Sequence, residues 1–305
     1  MLRRRSRNPG RAGAAVGAAA CCWLLACGDP PTRPEQEERI LFASTRDNVG
    51  GEVYSMRPDG SGVVRLTTTE GGRFSTSPTW YDGHRRIAFL SNRGEVQETG
   101  AYTMASDGSD VRRVPAVLPA IPMSRPVPSP DGSRLAFTSG PDIWVIGMDG
   151  SGLTRLTDDL SVDRAPQWSP DGTKIAFVSR RTGSAQVWVM NADGSGVRRV
   201  TEIADAVFSY ATWSPDGARL ALVQGSFEGG IAVINADGTG YRLLTPVESF
   251  NLNPSWSPDG RRIAFSGIGP SAAPFDDEDI QIITADGSSF TRLGARGSDL
   301  APSWR

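Results

Sequence analysis

The residues best suited to chemistry in this chain are carboxylates and aromatic side chains, gathered in segments rich in Gly, Pro and Ser. The densest group is the run Phe275-Asp276-Asp277-Glu278-Asp279. Four adjacent carboxylates offer the hard oxygen ligands that Ca²⁺ prefers, but acidic runs of this kind are more often solvated loops. We favour the solvated loop, and the sequence predicts no bound metal and no other cofactor.

A second acidic segment imitates a calcium-binding loop. Residues 191–196 read Asn-Ala-Asp-Gly-Ser-Gly, and Glu202 stands at the twelfth place, where an EF-hand carries a Glu ligand. No helical pattern flanks the segment, and the same Asp-Gly turn recurs elsewhere without that Glu. We interpret it as a hairpin turn.

Side chains typical of enzyme active sites are scarce. His84 is the only histidine, and the three cysteines are Cys21, Cys22 and Cys27. A Ser-His-Asp triad needs a histidine beside its nucleophile, no Gly-x-Ser-x-Gly elbow occurs, and zinc sites rely on His and Cys. Two carboxylates about 5–9 Å apart would suffice for glycosidase chemistry, but no pair is singled out. The sequence predicts a protein that is not an enzyme.

The elements that must position these residues are strands, because one phrase returns six times. Its clearest form, Trp-Ser-Pro-Asp-Gly-Arg-Arg-Ile-Ala-Phe, occupies residues 256–265. A repeat of 40 to 48 residues that is rich in strand formers and turn residues is typical of a β-propeller blade. The sequence predicts an all-β, six-bladed β-propeller of four-stranded antiparallel blades. The apolar triplet of each repeat begins at Ile40, Ile87, Leu135, Ile175, Leu220 and Ile263.

The fourth repeat shows the strands of one blade. We expect strands near residues 166–169, 174–179, 186–190 and 197–201, the first two and the last two joined by Asp-Gly hairpins. Five repeats carry Trp or Pro seven residues before their triplet, at Trp80, Pro128, Trp168, Trp213 and Trp256. The first repeat lacks this strand, and Ala301–Arg305 supplies the matching sequence with Trp304. We therefore predict a 3+1 closure by the C-terminal strand, with blade 3 weakened by Pro128.

The N-terminal residues predict export and lipidation. Five arginines precede an Ala-rich apolar run, as in a secretory signal peptide over residues 1–26. Leu24-Leu25-Ala26-Cys27 resembles the bacterial lipobox, which implies acylation of Cys27, with Gly28 after it favouring the outer membrane. The alternative is a conventional signal peptide with a chance cysteine. We assign residues 27–38 to a lipidated, Pro-rich tether and residues 39–305 to the propeller.

Charge and loop variation together indicate a binding surface. Removal of residues 1–26 changes the formal charge from −2 to −7, which argues against a nucleic-acid partner. One end of the ring, here the variable end, carries the unequal segments 45–52, 91–100, 225–230 and 267–279 and the links between blades; the other, the uniform end, carries the Asp-Gly hairpins. Because variable loops on a rigid scaffold commonly bind partners, we predict an acidic binding face at the variable end. Its candidate residues are Phe74, Phe208, Tyr210, Phe227, Phe250, Phe275, Asp276, Asp277, Glu278 and Asp279.

The repeated phrases Trp-Ser-Pro-Asp-Gly, Ile-Ala-Phe and Asn-Ala-Asp-Gly-Ser-Gly resemble the TolB-type, WD-repeat-like propeller repeat over residues 39–305. The resemblance implies a periplasmic propeller that binds an envelope lipoprotein. TolB itself carries a separate domain ahead of its propeller and no lipobox, so we expect a stand-alone relative. Oligogalacturonate lyases have similar repeats, but their metal site uses several histidines, whereas this chain has one.

These observations combine into one functional hypothesis. We expect a lipid-anchored, non-catalytic scaffold of the bacterial cell envelope, facing the periplasm and held to the membrane through its anchor alone. Its partner is predicted to be an envelope protein or peptide that meets the acidic face. The alternative is a propeller that binds carbohydrate or cell-wall fragments through the aromatic residues of that face, followed by a carboxylate-based hydrolase or lyase.

Overall fold

The computed structural model of the chain describes residues 37–94, 99–115, 125–226, 229–268, 278–293 and 298–305. Glu37–Arg305 is one compact unit. It therefore includes Glu37 and Glu38, which the sequence analysis assigned to the tether. The predicted signal peptide, Cys27 and the rest of the tether lie outside the described residues. In the part of the chain that is described, no helix is long and apolar enough to cross a membrane.

In the described ranges, twenty-four strands form six separate four-stranded antiparallel sheets, as the repeat predicts. Blade 1 comprises β24 (Asp299–Trp304), β1 (Ile40–Ser44), β2 (Glu52–Met56) and β3 (Val64–Arg65), and blade 2 comprises β4 (Ser75–Tyr81), β5 (Arg86–Ser91), β6 (Gly100–Ala105) and β7 (Arg112–Arg113). Blade 3 comprises β8 (Val127–Pro128), β9 (Arg134–Ser139), β10 (Asp142–Gly147) and β11 (Thr154–Arg155), and blade 4 comprises β12 (Asp163–Trp168), β13 (Lys174–Ser179), β14 (Gln186–Asn191) and β15 (Arg198–Arg199). Blade 5 comprises β16 (Phe208–Trp213), β17 (Arg219–Gln224), β18 (Gly230–Asn235) and β19 (Arg242–Leu243), and blade 6 comprises β20 (Asn251–Trp256), β21 (Arg262–Gly267), β22 (Asp279–Thr284) and β23 (Phe290–Leu293).

The apolar triplets form the core because they occupy the second strand of each blade. Both faces of that strand are covered by neighbouring blades, and Phe42, Phe89, Phe137, Phe177 and Phe265 are fully buried there. The fourth strands are short and carry exposed arginines, as in β7 and β15. Charged residues on a short outer strand protect its free edge from pairing with another chain.

The predicted closure of the ring is confirmed. β24 pairs antiparallel with β1, with Ile40 opposite Trp304 and Ser44 opposite Asp299. The chain just before β1 reinforces this junction, since the Glu38 carboxylate accepts a hydrogen bond from the Trp304 indole at 3.2 Å and pairs with Arg262 at 2.8 Å. The first and last blades are therefore joined by side chains as well as by the sheet.

The Asp-Gly hairpins of the uniform end share one hydrogen-bonding pattern. In blade 4, Asp171 accepts hydrogen bonds from the Ser169 hydroxyl at 2.5 Å and from the backbone amide of Thr173 at 3.0 Å. Gly172 has φ +69°, a value that glycine adopts without a steric penalty. The same Ser-to-Asp bond recurs at Asp131, Asp216 and Asp259, so the hairpins repeat because the residues that make the turn repeat.

The tryptophans link successive blades. Trp168 lies beneath the Arg134 guanidinium of blade 3, with 4.6 Å between the guanidinium carbon and the ring centre, and its indole nitrogen donates to the Val127 carbonyl at 3.1 Å. Arg219 and Arg262 stack in the same way on the tryptophan of the next blade. In blade 3 the innermost strand, β8, has only two residues and ends in Pro128.

Candidate functional site

The innermost strands enclose the axis of the ring, and a cavity of about 270 Å³ lies there towards the variable end. Residues from blades 3 to 6 line it, which places it on the axis rather than between two blades. The lining includes Arg125, Arg164, Gln167, Tyr210 and Asn253. A second axial cavity, of about 440 Å³, opens at the uniform end among the tryptophans and the prolines of the hairpins.

Tyr210 is the centre of the polar network in the first cavity. Its hydroxyl accepts hydrogen bonds from Gln167 Nε2 at 2.7 Å and from an Arg125 guanidinium nitrogen at 3.3 Å. Arg125 also donates to Thr79 Oγ1 at 3.1 Å and to the Pro78 carbonyl at 3.0 Å. One arginine therefore connects blades 2, 3 and 5 across the axis, and its orientation is fixed before any ligand arrives.

Arg164 adds a second positive charge to the cavity. Burial, and then the nearby charge of Arg180, lower the pKa of Arg164. Among the residues that the structure describes, neither Arg125 nor Arg164 forms an ion pair. Half-buried guanidinium groups without a paired carboxylate attract anions, so the cavity favours a negatively charged or carbonyl-rich ligand.

The backbone of the innermost strands brings these side chains to the axis. Four of the strands have a non-glycine residue with positive φ three residues before the tryptophan: Ser77, Ala165, Asn253 and Ala301. The pairing register shifts at this position in β4, β12, β20 and β24. A bulge of this kind redirects side chains, and Arg125 and Tyr210 occupy the same place in blades 3 and 5.

The aromatic candidates from the sequence analysis are distributed over different environments. Tyr210 lines the axial cavity, Phe74 is half-buried, and Phe250 is 46% exposed. Phe208 is fully buried in the core between blades 4 and 5. Its assignment to the binding face is therefore wrong, because the side chain points away from solvent. Phe227 and Phe275 lie outside the described residues.

The acidic candidates also need correction. Asp279 begins β22, is 4% exposed and pairs with Arg292 on β23. Its carboxylate is thus a structural partner inside blade 6 rather than part of an exposed binding loop. Glu278 is half-buried, and Asp276 and Asp277 lie outside the described residues.

Other carboxylates of the variable end are paired in the same way. Asp299 is held by Arg46 at 2.8 Å, and Asp163 and Asp159 both contact Arg181, at 2.9 and 2.7 Å. Burial raises the pKa of Asp163 and of Asp299, against the opposing effects of hydrogen bonds and the paired arginine. The count of acids in the sequence therefore overstates the free negative charge of this end.

Nothing in the described ranges is arranged as a metal centre: no group of three or more His, Cys, Asp and Glu side chains could hold an ion there. The EF-hand look-alike is the hairpin between β14 and β15. Asp193 uses its carboxylate to accept hydrogen bonds from the amide and hydroxyl of Ser195, at 2.9 and 2.6 Å. The acid that resembled a calcium ligand thus shapes a turn.

The sequence analysis missed Arg125, Arg164, Gln167 and Asn253. The repeat itself contained the signal, because Ser77, Arg125, Ala165, Tyr210, Asn253 and Ala301 all stand three residues before the Trp or Pro of their blades. The residues in this column differ widely in size and charge, whereas the position that follows is proline in five of the six blades. Variation beside a repeated residue indicates the lining of a site, and Arg125 and Asn253 could have been found in this way.

The chain is similar to known TolB proteins. It is 30% identical over 140 residues to the protein TolB homolog of Chlorobium luteolum, a match that covers 44% of this chain and 31% of that protein. A match to tricorn protease homolog 1 of Streptomyces coelicolor has 36% identity over 104 residues, 34% of this chain and 10% of that protein. The chain thus spans under a third of the length of either relative.

The fold agrees with these matches. The crystal structure of TolB from Acinetobacter baumannii superposes with a TM-score of 0.74 at 21% identity, covering 87% of this chain and 66% of that one. The model of the TolB beta propeller domain family matches residues 120–305. This segment is more than half of the chain, and the protein therefore belongs to the TolB beta propeller domain family.

Proposed function

We propose that the protein is a non-catalytic propeller of the bacterial cell envelope that binds a protein or peptide at the variable end of its axis. The axial cavity with Arg125, Arg164 and Tyr210 carries this proposal. Its donors converge from four blades, and the closed ring holds them in place, which lowers the entropic cost of binding. An extended peptide offers carbonyl and carboxylate oxygens, which accept hydrogen bonds from such donors.

Membership of the TolB propeller family supports a binding role of this kind, since TolB-type propellers act within the envelope by contacting other proteins. The tricorn protease match covers one tenth of that enzyme and lends little weight to catalysis. Phe74 and Phe250 belong to the same end of the ring, where aromatic anchors beside polar groups suit a protein interface. The proposed binding face also includes Asp276 and Asp277, which lie outside the described residues.

The membrane attachment is part of the proposal. Acylation of Cys27 after removal of residues 1–26 would tether the propeller to the outer membrane, facing the periplasm, and multiple acyl chains hold far more firmly than one. Mass spectrometry of the mature N-terminus tests it. We expect an acylated Cys27 in the wild type, and a Cys27→Ser chain that leaves the membrane fraction; an unmodified cysteine contradicts the anchor.

The binding role is tested by crosslinked capture from the protein's own envelope. We expect Arg125→Gln with Arg164→Gln to abolish capture of a protein that the wild type retains. Arg85→Gln with Arg261→Gln is the control, because both arginines are exposed on uniform-end hairpins and the change removes the same two charges. A further variant, Asp276→Asn with Asp277→Asn, tests the proposed binding face. Equal capture by all variants would place the partner elsewhere; no captured protein, with binding on a glycan array, would favour the carbohydrate alternative.

A further inference from the structure

Three blades carry the same arginine at the variable end, two residues beyond their second strand: Arg46 in blade 1, Arg93 in blade 2 and Arg181 in blade 4. Each guanidinium stacks on a phenylalanine of the second strand and an aromatic residue of the third, at 5.0–5.8 Å from the ring centres. Each also donates through Nε to the serine that ends the second strand. The three side chains are held in equivalent cages.

Besides the two aromatic rings and the serine, each guanidinium contacts the first residue of the innermost strand, and this residue differs between the blades. In blades 1 and 4 the first residue of the innermost strand is an aspartate, and Asp299 and Asp163 accept hydrogen bonds from Arg46 and Arg181 at 2.8 and 2.9 Å. Pairing registers place Ser75 at the same position in blade 2, opposite Ser91 as Asp163 is opposite Ser179. Arg93 donates to the Ser75 hydroxyl at 3.0 Å.

Arg93 therefore has the cage but not the carboxylate. Within the ranges that the structure describes, it forms no ion pair, and burial lowers its pKa against the opposing charge of Glu52. The Glu52 carboxylate is itself held by Arg65 and by the Thr67 and Thr69 hydroxyls. A half-buried guanidinium without a directly paired carboxylate is unfavourable, and an anion that binds it recovers part of that cost. Ser75 in blade 2 and Asp163 in blade 4 are both fully buried. The two positions therefore differ in the charge of the side chain and not in its exposure.

An open cavity adjoins this arginine. It measures about 300 Å³ and is lined by Thr68, Thr69, Glu70, Arg73 and Arg93; we refer to it as the seam pocket. Arg73 donates to the Arg93 carbonyl at 3.1 Å and, like Arg93, has no ion pair among the described residues. Glu70 is the one acid in the lining. The two arginines of the lining outnumber its one carboxylate, and the nearby Glu52 carboxylate is paired with Arg65.

We propose that the seam pocket binds a carboxylate supplied by an aspartate or glutamate side chain of a peptide partner, in the role that Asp299 and Asp163 fill in blades 1 and 4. The inference rests on the proposed function, since it assigns that carboxylate to the partner. Phe74 precedes Ser75 directly and gives the partner an apolar contact beside the charge.

A blocked aspartate, N-acetylaspartate N-methylamide, is the probe, and the Nε–H signals of the arginines in a ¹H–¹⁵N spectrum are the readout. We expect the Arg93 and Arg73 signals to shift with saturation in the millimolar range, and the matching asparagine derivative to leave them unchanged. No shift with the aspartate probe overturns the proposal, as does tighter binding of inorganic phosphate.

Ser75→Asp is the decisive variant, because it restores the carboxylate that blades 1 and 4 possess. It should raise the midpoint of thermal unfolding and weaken probe binding at least tenfold, whereas Ser75→Asn should do neither. Unchanged binding in Ser75→Asp contradicts the inference. Should Ser75→Asp fail to fold, Arg93→Gln serves instead and should remove binding.

Two controls separate the remaining explanations. Glu95 and Glu98 lie outside the described residues. A chain with both changed to Gln tests whether the protein supplies its own carboxylate to Arg93. If the aspartate probe binds this variant and not the wild type, the proposal is overturned. Failure of the probe while the Arg125 and Arg164 changes still abolish capture refutes this inference alone. Probe binding without any captured partner refutes the proposed function alone.

Discussion

At the scale of single residues, His84 shows how the fold sets a charge state. It lies in the hairpin between β4 and β5 with φ +66°, and its carbonyl accepts a hydrogen bond from Arg305 at 3.0 Å. Burial, and then the charge of Arg305, lower the pKa of His84 below 6.5. The neutral imidazole is therefore favoured in the folded chain, while the unfolded chain takes up the proton first.

The sign of the pH effect follows. Above pH 6.5 the imidazole is neutral in both the folded and the unfolded chain, and the contribution of His84 to stability is complete. As the pH falls from 6.5 towards the lower pKa of the folded state, the unfolded chain binds the proton first, and the free energy of unfolding declines. The imidazole is the only one in the chain, so its NMR signal titrates without overlap. Asparagine tolerates the positive φ at this position, so a His84→Asn chain should fold and should lose this part of the pH dependence of unfolding. A measured pKa of 6.5 or higher would contradict the assignment.

Asp171 represents the hairpin carboxylates. The hydrogen bond from Ser169, with those from Thr173, lowers its pKa. We expect Asp171→Ala to reduce the free energy of unfolding by about 1 kcal/mol near neutral pH, the typical net value of a lost hydrogen-bonding group. The loss should shrink as the pH falls below 3.8, because the wild-type carboxyl then protonates.

Asp158 provides the comparison for Asp171. It is exposed, and Asp158→Ala should change stability by less than about 0.5 kcal/mol. Urea denaturation at pH 7 and pH 3 measures both variants. Equal losses would mean that the hairpin bonds do not stabilise the fold.

At the scale of elements, the innermost strands explain where prediction from sequence succeeded and where it stopped. The apolar triplets predicted the second strands because buried strands read as continuous apolar runs. Phe208 and Tyr210 lie two residues apart in β16, and simple alternation would place them on the same face. The register shift between them changes their environments, so one is buried and the other lines the axis.

The bulges make a second prediction at this scale. Ala165 has φ +53° and Ala211, in β16, is an ordinary buried strand residue. A left-handed conformation costs an L-residue roughly 1–2 kcal/mol, so Ala165→Gly should be neutral or stabilise by up to about 1 kcal/mol. Ala211→Gly should destabilise by about 1 kcal/mol. Thermal unfolding compares them, and equal destabilisation would show that the bulge stores no strain.

At the scale of the whole molecule, the period of the sequence predicted the ring and its closure, because each blade is specified by local turns and apolar runs. The charge pairs were beyond prediction from sequence. Arg46 and Asp299 are 253 positions apart, and only the closed ring brings them together. For the same reason the acids of the variable end looked free in the sequence, although neighbouring strands supply their arginines.

Closure by β24 is open to a direct test. A chain that ends at residue 298 leaves β1 paired with β2 alone and exposes its other edge. We expect it to lose cooperative unfolding in circular dichroism and to associate in size-exclusion chromatography. A synthetic peptide of residues 298–305 should restore the monomer. An unchanged unfolding midpoint in the shortened chain would show that the junction contributes little.

The pairing of β1 with β24 also determines when the ring can close during translation. At roughly 5–20 residues per second, the ribosome needs on the order of 13–50 seconds to make the 253 positions between Arg46 and Asp299. Throughout that interval the nascent chain can pair β1 with β2, but the other edge of β1 has no partner strand. A chaperone that covers this edge until β24 has been synthesised would therefore determine the yield of closed propellers. Its effect on that yield would exceed the effect of any single contact in the folded protein.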